Sequence, residues 1–355
     1  MPNNFISQPD LVKLSQRLSA RSRLYAPILD FNDLHLTLIT AENADKIVFD
    51  RHNTVEPAKG LVFKVSEKVS DYFGPQEDLK NDQEVVLLGV KACDVNALRI
   101  EDRVFLEGEF KDPFYQKNRE KLTVISVDCS DFKNTCFCTL AGYKPYAEKD
   151  FDLNLSKLSD GYLVEVGSQK GEKIIAANRE LFKDAPSAAE GERQRNRQQL
   201  TRELELQNDK FETRASLHEI HRLNDDPKSQ AFKQITRNCV ECLGCNKICP
   251  TCTCFLLVDN AVPAETKEHY ERFKIWDSCL QNTYARVAGG ANPRNKLFER
   301  LQNRYNCKFN YSYERLGVYT CVGCGRCIDC CMAKIDMREA FKEQGKEIVR
   351  MAVLK

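Results

Sequence analysis

The chain has 355 residues, 42% of them apolar, and a formal charge of +1 from 53 basic and 52 acidic side chains. That length serves roughly two or three domains, and the balanced charge excludes the long-range field that draws a protein to nucleic acid or an anionic membrane surface. The longest apolar runs, Val85 to Val90 and Leu122 to Val127, fall far short of the roughly twenty residues of a membrane-spanning helix, so no membrane span is expected.

Met1 to Asp10 is polar, with no cleavable apolar segment and no twin-arginine pair, so the expected location is the cytoplasm. From Pro9 to Leu18 the apolar spacing predicts a short helix. Strands are predicted at Leu34 to Ile39, Ile47 to Phe49, Val85 to Val90, Leu122 to Val127 and Tyr162 to Val166. The runs at Val85 and Leu122 are continuously apolar, as parallel strands covered on both faces are, and Asn96 to Glu107 suits a helix between them. Residues 1–187 therefore read as an α/β domain. From Glu190 to Lys210 nearly every side chain is charged or amide-bearing, which predicts a solvated helical connector over 188–230 and puts the pair His218 and His221 on a solvent-facing helix. Residues 231–355 read as a mostly α-helical ferredoxin-type domain, with a helix at Ala340 to Val353.

Seventeen cysteines need a reason, since a reducing cytosol does not sustain so large a disulfide framework, and metal ligation is the ordinary one. Cys239, Cys242, Cys245 and Cys249 are spaced C-x2-C-x2-C-x3-C with Pro250 following, and Cys321, Cys324, Cys327 and Cys331 repeat the spacing. In two-cluster ferredoxins of this spacing three thiolates wrap one cubane and the fourth ligates the other. The expected sets are Cys239, Cys242, Cys245 with Cys331, and Cys321, Cys324, Cys327 with Cys249. Gly244, Gly323 and Gly325 let backbone approach the inorganic sulfides. Structural zinc, the competing use of paired C-x2-C, does not need two complete runs of four. Roughly 70 residues separate the motifs, and they read as helical rather than hairpin-like.

Cys93, Cys129, Cys136 and Cys138 follow the two apolar strands. If those strands are parallel neighbours, all four thiols fall at the carboxyl edge of the sheet, where open α/β folds bind ligands, and a third cluster is expected there. The competing reading is that some are small buried apolar side chains. Cys252, Cys254, Cys279 and Cys307 form a less regular group, either a fourth cluster or residues packed under a neighbouring one. With it, every cysteine but Cys330 has a set.

Several ordered motifs carry a family resemblance: KACDVNAL, DCSDFKNTCFCTLAG, GYLVEVGSQKG, CVECLGCNKICPTCTCF, WDSC, AGGANPR and CVGCGRC, across roughly residues 20 to 340. The chain resembles the iron-sulfur subunits related to the anaerobic sulfite reductase A subunit and the cytosolic NiFe-hydrogenase (sulfhydrogenase) beta subunit. The resemblance implies an electron conduit between a flavoprotein subunit that handles NAD(P)H and a terminal redox subunit of hydrogenase, sulfite, sulfur or heterodisulfide reductase type. Two departures stand out. Cys330 and Cys331 precede Met332 where the family has one cysteine and then proline, leaving either as the fourth ligand, although spacing favours Cys331. Cys307 stands where relatives tend to have histidine, an exchange that a ligand position permits. No G-x-G-x-x-G, phosphate-binding loop or H-E-x-x-H motif occurs, so no catalytic residue of the chain's own is expected. The alternative is a reductase subunit with its own substrate-binding cluster, for which the irregular group is the candidate.

Overall fold

The computed structural model describes residues 4–72, 83–213, 215–223, 230–262 and 269–353, with side chains described as far as residue 346. The chain divides into two compact units: Met1–Phe63 with Lys80–Gln207, and Lys64–Leu79 with Asn208–Lys355.

In chain order the strands are β1 (Asn4–Ile6), β2 (Arg23–Asp30), β3 (Asp33–Leu38), β4 (Ser66–Tyr72), β5 (Val85–Val90), β6 (Leu122–Val127), β7 (Leu153–Leu158), β8 (Gly161–Val166), β9 (Lys183–Asp184), β10 (Phe255–Val262) and β11 (His269–Trp276). The helices that matter below are α1 (Gln8–Ser19), α2 (Ala92–Leu106), α3 (Pro113–Glu120), α4 (Gln169–Ala177), α5 (Ala189–Asn208), α6 (Leu217–Leu223), α7 (Gln230–Ile235), α8 (Gly244–Lys247), α9 (Leu297–Asn306), α10 (Ser312–Leu316), α11 (Arg326–Asp329) and α12 (Met337–Val353).

The first unit is an eight-stranded mixed sheet in the order 3-2-5-6-7-8-1-9. β5 and β6 are parallel neighbours, in register from Val85↔Leu122 to Leu88↔Ile125, and β6 is buried along its whole length. Continuous apolar sequence was the visible sign of that burial. The helix at Pro9 to Leu18 forms as α1, with Ser7 as its N-cap. Two details differ from expectation. Ile47 makes only an isolated bridge to Ile28 rather than a strand, and β2 forms although Pro27 interrupts its pattern. Pairing of β2 with β5 stops at Tyr25, so Pro27 sits where no ladder donor toward β5 is missed. Across from it Gly89 has φ +85°, and a Cβ there would lie 2.8 Å from Pro27 Cδ, so glycine is required.

The predicted connector helix forms as α5, but it belongs to the first unit rather than standing between domains. Arg197 explains why. Its Nε and Nη2 donate to Asp128 Oδ2 and Oδ1 at 2.7 and 3.1 Å, while Ser156 and Asn154 donate to the same carboxylate at 2.6 and 3.0 Å.

The second unit is not wholly helical. β10 and β11 form an antiparallel hairpin pairing Phe255↔Trp276 to Val262↔His269, and β4 joins β11 from nearly 200 residues earlier in the chain. The segment between the motifs, read as helical, is mixed: the β-hairpin comes first, and α9, a π-helical turn at Cys307–Tyr311 and α10 follow it. Phe255, Leu256 and Leu257 are all partly exposed, so no alternation marked a half-buried strand. His221, expected to face solvent, is fully buried. It stacks on Phe309 with ring centroids 5.0 Å apart and meets Phe341 edge-on at 5.9 Å. Burial has pushed its pKa down to about 3.

Candidate iron-sulfur sites

The two spaced motifs share one backbone design. Glu241 and Leu243 have φ of 55° and 60°; Gly323 and Gly325, the same positions in the second motif, have 64° and 76°. Cysteines between left-handed residues sit on a concave array of amides, the geometry that cradles iron-sulfur clusters and phosphates. Each third cysteine then enters a one-turn helix, α8 or α11.

Cys239, Cys242, Cys245, Cys327 and Cys331 line one cavity with Leu243, Ile335 and Met337. Cys331 Sγ accepts the Ile335 N–H at 3.3 Å, as a thiolate held by metal does. Cys330 instead lies beside Gly244, its thiol 3.7 Å from the Cys327 carbonyl oxygen. Cys249 has Cys321, Cys324 and Cys327 as electrostatic neighbours. Burial pushes the Cys324 and Cys327 thiols up to about 12 and 11, and the Cys321 thiol higher still. Metal binding overrides such a penalty, because a coordinating thiol is deprotonated outright. Among the described residues no three Cys, His, Asp or Glu side chains are close enough to share a single metal ion. An iron-sulfur core does not ask three thiols to meet at one ion, since each iron takes its own cysteine.

Besides Arg326 of the second motif, two buried cations stand among these thiols. Arg304, 3% exposed, donates from Nε to Asn246 Oδ1 at 2.6 Å and from Nη2 to the Cys245 carbonyl at 3.2 Å. Lys308, 2% exposed, donates to Thr251 Oγ1 at 3.0 Å, and that hydroxyl lies 3.4 Å from Cys249 Sγ. Among the described residues these hydrogen-bond partners of Arg304 and Lys308 are an amide, a hydroxyl and carbonyls rather than carboxylates. Unpaired buried cations are costly, so anionic metal-thiolate groups beside them fit the site.

The irregular cysteines surround the same two cations. The Cys279 thiol hydrogen-bonds Cys254, holding the latter's pKa down to about 6, and Asn246 Nδ2 donates to Cys279 Sγ at 3.2 Å. Cys252 hydrogen-bonds Cys249, and Cys307 is exposed at the start of a π-helical turn, Cys307–Tyr311, an irregularity frequent at functional sites.

In the first unit Cys93 lies in the first turn of α2 directly after β5, and Cys129 follows β6. Cys129, Cys136 and Cys138 are electrostatic neighbours of one another. Burial pushes Cys129 up to about 12 against the pull of Lys91. Lys91, 2% exposed, has its own pKa lowered by burial, with Cys129 and Cys93 favouring its charge.

Comparison with known proteins agrees with the geometry. Residues 238–335 match the 4Fe-4S dicluster domain family. Over 333 residues, 92% of this chain and 93% of the relative, the sequence is 31% identical to sulfhydrogenase 2 subunit beta of Pyrococcus furiosus. The chain belongs to the sulfhydrogenase beta-subunit family. In this member of the family the second unit carries a 4Fe-4S dicluster domain, and the match contains both motifs and the irregular cysteines but not the N-terminal four. No helix among the described residues is long and apolar enough to cross a membrane. Sequence reasoning missed Lys91, Arg304 and Lys308, because a lysine or arginine reads as solvated until tertiary packing closes over it.

Proposed function

We propose that this chain is the electron-transfer subunit of a hetero-oligomeric oxidoreductase, relaying electrons between a flavoprotein NAD(P)H-oxidoreductase subunit and a terminal redox subunit. The terminal subunit is of hydrogenase, sulfite or sulfur reductase, or heterodisulfide reductase type. When bound, 4Fe-4S clusters accept and release single electrons, a chemistry that needs no substrate pocket in this chain. The ligand sets of this reading are crossed: Cys239, Cys242 and Cys245 with Cys331, and Cys321, Cys324 and Cys327 with Cys249. The carrying observation is the shared cavity of Cys331 with the first motif, together with the hydrogen bond that the Ile335 N–H donates to its sulfur. Cys242 is exposed, and Val240 and Met332 beside the cavity are 64% and 75% exposed, so this set is the one open to a redox partner.

The test is anaerobic co-purification of the tagged full chain from its own host. A flavoprotein and a second redox subunit are expected in stoichiometric amounts, and a chain that purifies alone, colourless and with bound zinc, sinks the reading. Exposure of Cys307 beside three more enclosed thiols favours one second reading, a fourth cluster at Cys252, Cys254, Cys279 and Cys307 with an iron open to substrate. Reduction of sulfite or polysulfide by the isolated chain with an artificial donor, abolished in Cys279→Ala, separates that reading from the conduit alone.

A further inference from the structure

Four cysteines outside the dicluster match share one edge of the eight-stranded sheet. Because β5 and β6 are parallel neighbours, Cys93 and Cys129 leave the sheet at the same end. The loop bearing Cys136 and Cys138 is closed by the Cys129 N–H donating to the Pro145 carbonyl at 2.9 Å. It is tied to α5 by the Gln207 amide, which donates to the carbonyls of Lys133 and Cys136 at 3.2 and 3.1 Å. The thiols are thus held by strands, a closed loop and a helix, a preorganised edge of the kind at which open α/β folds bind ligands.

A second observation, separate from the thiols, points to an anion. Lys91 Nζ donates to the carbonyls of Phe49 and Asp128 at 2.7 and 3.4 Å, and it makes no carboxylate ion pair among the described residues. Asp128 is committed to Arg197. A fully buried lysine without an ion pair is expensive, and the acidic groups around this one are Cys129, Asp128, Cys93 and Asp50, of which Asp128 is paired with Arg197 and Asp50 with Lys157. Neutral thiols leave that charge unbalanced, whereas four thiolates on iron carry the compensating negative charge.

We propose that Cys93, Cys129, Cys136 and Cys138 hold a third iron-sulfur cluster in the first unit, with Lys91 as its buried counter-charge. Inert burial of four small side chains accounts for the cysteines one by one but leaves Lys91 without a reason. The proposal does not rest on the relay reading, since bound iron is counted without any partner.

The experiment uses the full chain purified anaerobically with its clusters. In the double variant Cys129→Ala and Cys136→Ala, iron and acid-labile sulfide should each fall by about four atoms per chain for a cubane or about two for a binuclear cluster. The dicluster's electron paramagnetic resonance signals should stay. Undiminished iron in a variant that keeps its sheet overturns the proposal. If the double variant does not fold, Lys91→Met supplies the second readout. Loss of the positive charge should lower the midpoint potential of one signal only, changing its reduced-to-oxidised ratio about tenfold at fixed potential, equivalent to about 59 mV for one electron. Lys91→Arg should restore it. A folded Lys91→Met protein in which no midpoint moves is equally fatal.

Discussion

The two units hold their cysteines by opposite means. In the first, Cys93 and Cys129 leave the ends of two buried parallel strands that belong to a large apolar core, including Leu24, Val86, Leu88, Ile125 and Val127. That sheet has its own reason to exist whatever the thiols bind. In the second, the motif cysteines lie on loops and one-turn helices, on backbone that includes the left-handed Glu241 and Leu243, around the buried cations Arg304 and Lys308. There the ligand set and the fold are one problem, because metal binding free energy becomes folding free energy where no site survives in the unfolded chain.

Removal of iron is the largest way to break this comparison. Chelation of the anaerobic holoprotein should release amide protection across residues 238–335, where Arg304 and Lys308 lose their counter-charge, while β5 and β6 stay protected. Hydrogen exchange followed along the chain reads both at once. Equal loss in β5 and β6 would mean that the first unit also depends on metal for its fold.

The first unit's independence should instead rest on internal contacts such as Asp128. Asp128→Ala removes the acceptor of Arg197, Ser156 and Asn154 and leaves a guanidinium only 11% exposed with Glu165, 3.9 Å away, as its remaining carboxylate. Breaking a buried pair in this way costs about 3–5 kcal/mol. The urea midpoint of the sheet should fall accordingly, with the dicluster's absorbance unchanged until the first unit unfolds. A shift of the dicluster alone would reverse the assignment of α5 to the first unit.

Acid separates the units by a smaller amount. His221 lies among Phe309, Tyr305 and Phe341, and neither ring nitrogen has a hydrogen-bond partner among the described residues. Its folded pKa of about 3 lies below the ordinary 6.5, so below pH 6.5 the unfolded chain takes up a proton that the folded chain refuses. Stability of the second unit should therefore fall by about 1.4 kcal/mol per pH unit as pH drops from 6.5 toward 3, and be insensitive to this group above 6.5. His221→Phe should flatten that slope in chemical unfolding series. His35 in the first unit is partly exposed, and its hydrogen bond with Glu56 raises its pKa, so it imposes no such penalty.

What the sequence disclosed follows the range of the interactions involved. The cysteine motifs are local, so spacing alone carried them. β5 and β6 were legible because burial on both faces writes continuous apolar runs. β2 was hidden by Pro27, whose tolerance depends on where pairing with β5 stops and on Gly89 opposite. The sheet of the second unit was hidden because β4 is recruited from far upstream and the outer residues Leu256 and Leu257 stay half exposed. His221 looked solvated because the connector that leads into it is so strongly polar, although Ile220 and Leu223 beside it are apolar, and the aromatic residues that bury it come from α9, the π-helical turn and α12.

The smallest prediction returns to the paired motifs, which ask for left-handed backbone at the same two positions but fill them differently. The second motif uses glycine at both; the first uses Glu241, which Arg300 holds with a 2.7 Å ion pair, and Leu243, which lines the cavity. A left-handed non-glycine residue costs about 1–2 kcal/mol. Gly323→Ala should lower stability of the holoprotein by about that amount, because an alanine there gains neither an ion pair nor cavity contacts in return. Leu243→Gly should give a smaller net change, since relief of strain is offset by lost apolar burial. Chemical unfolding of the two variants measures this asymmetry. If Gly323→Ala proves neutral, the bound cluster rather than residue preference sets the loop backbone, and the dependence of the second unit on iron is stronger than its sequence implies.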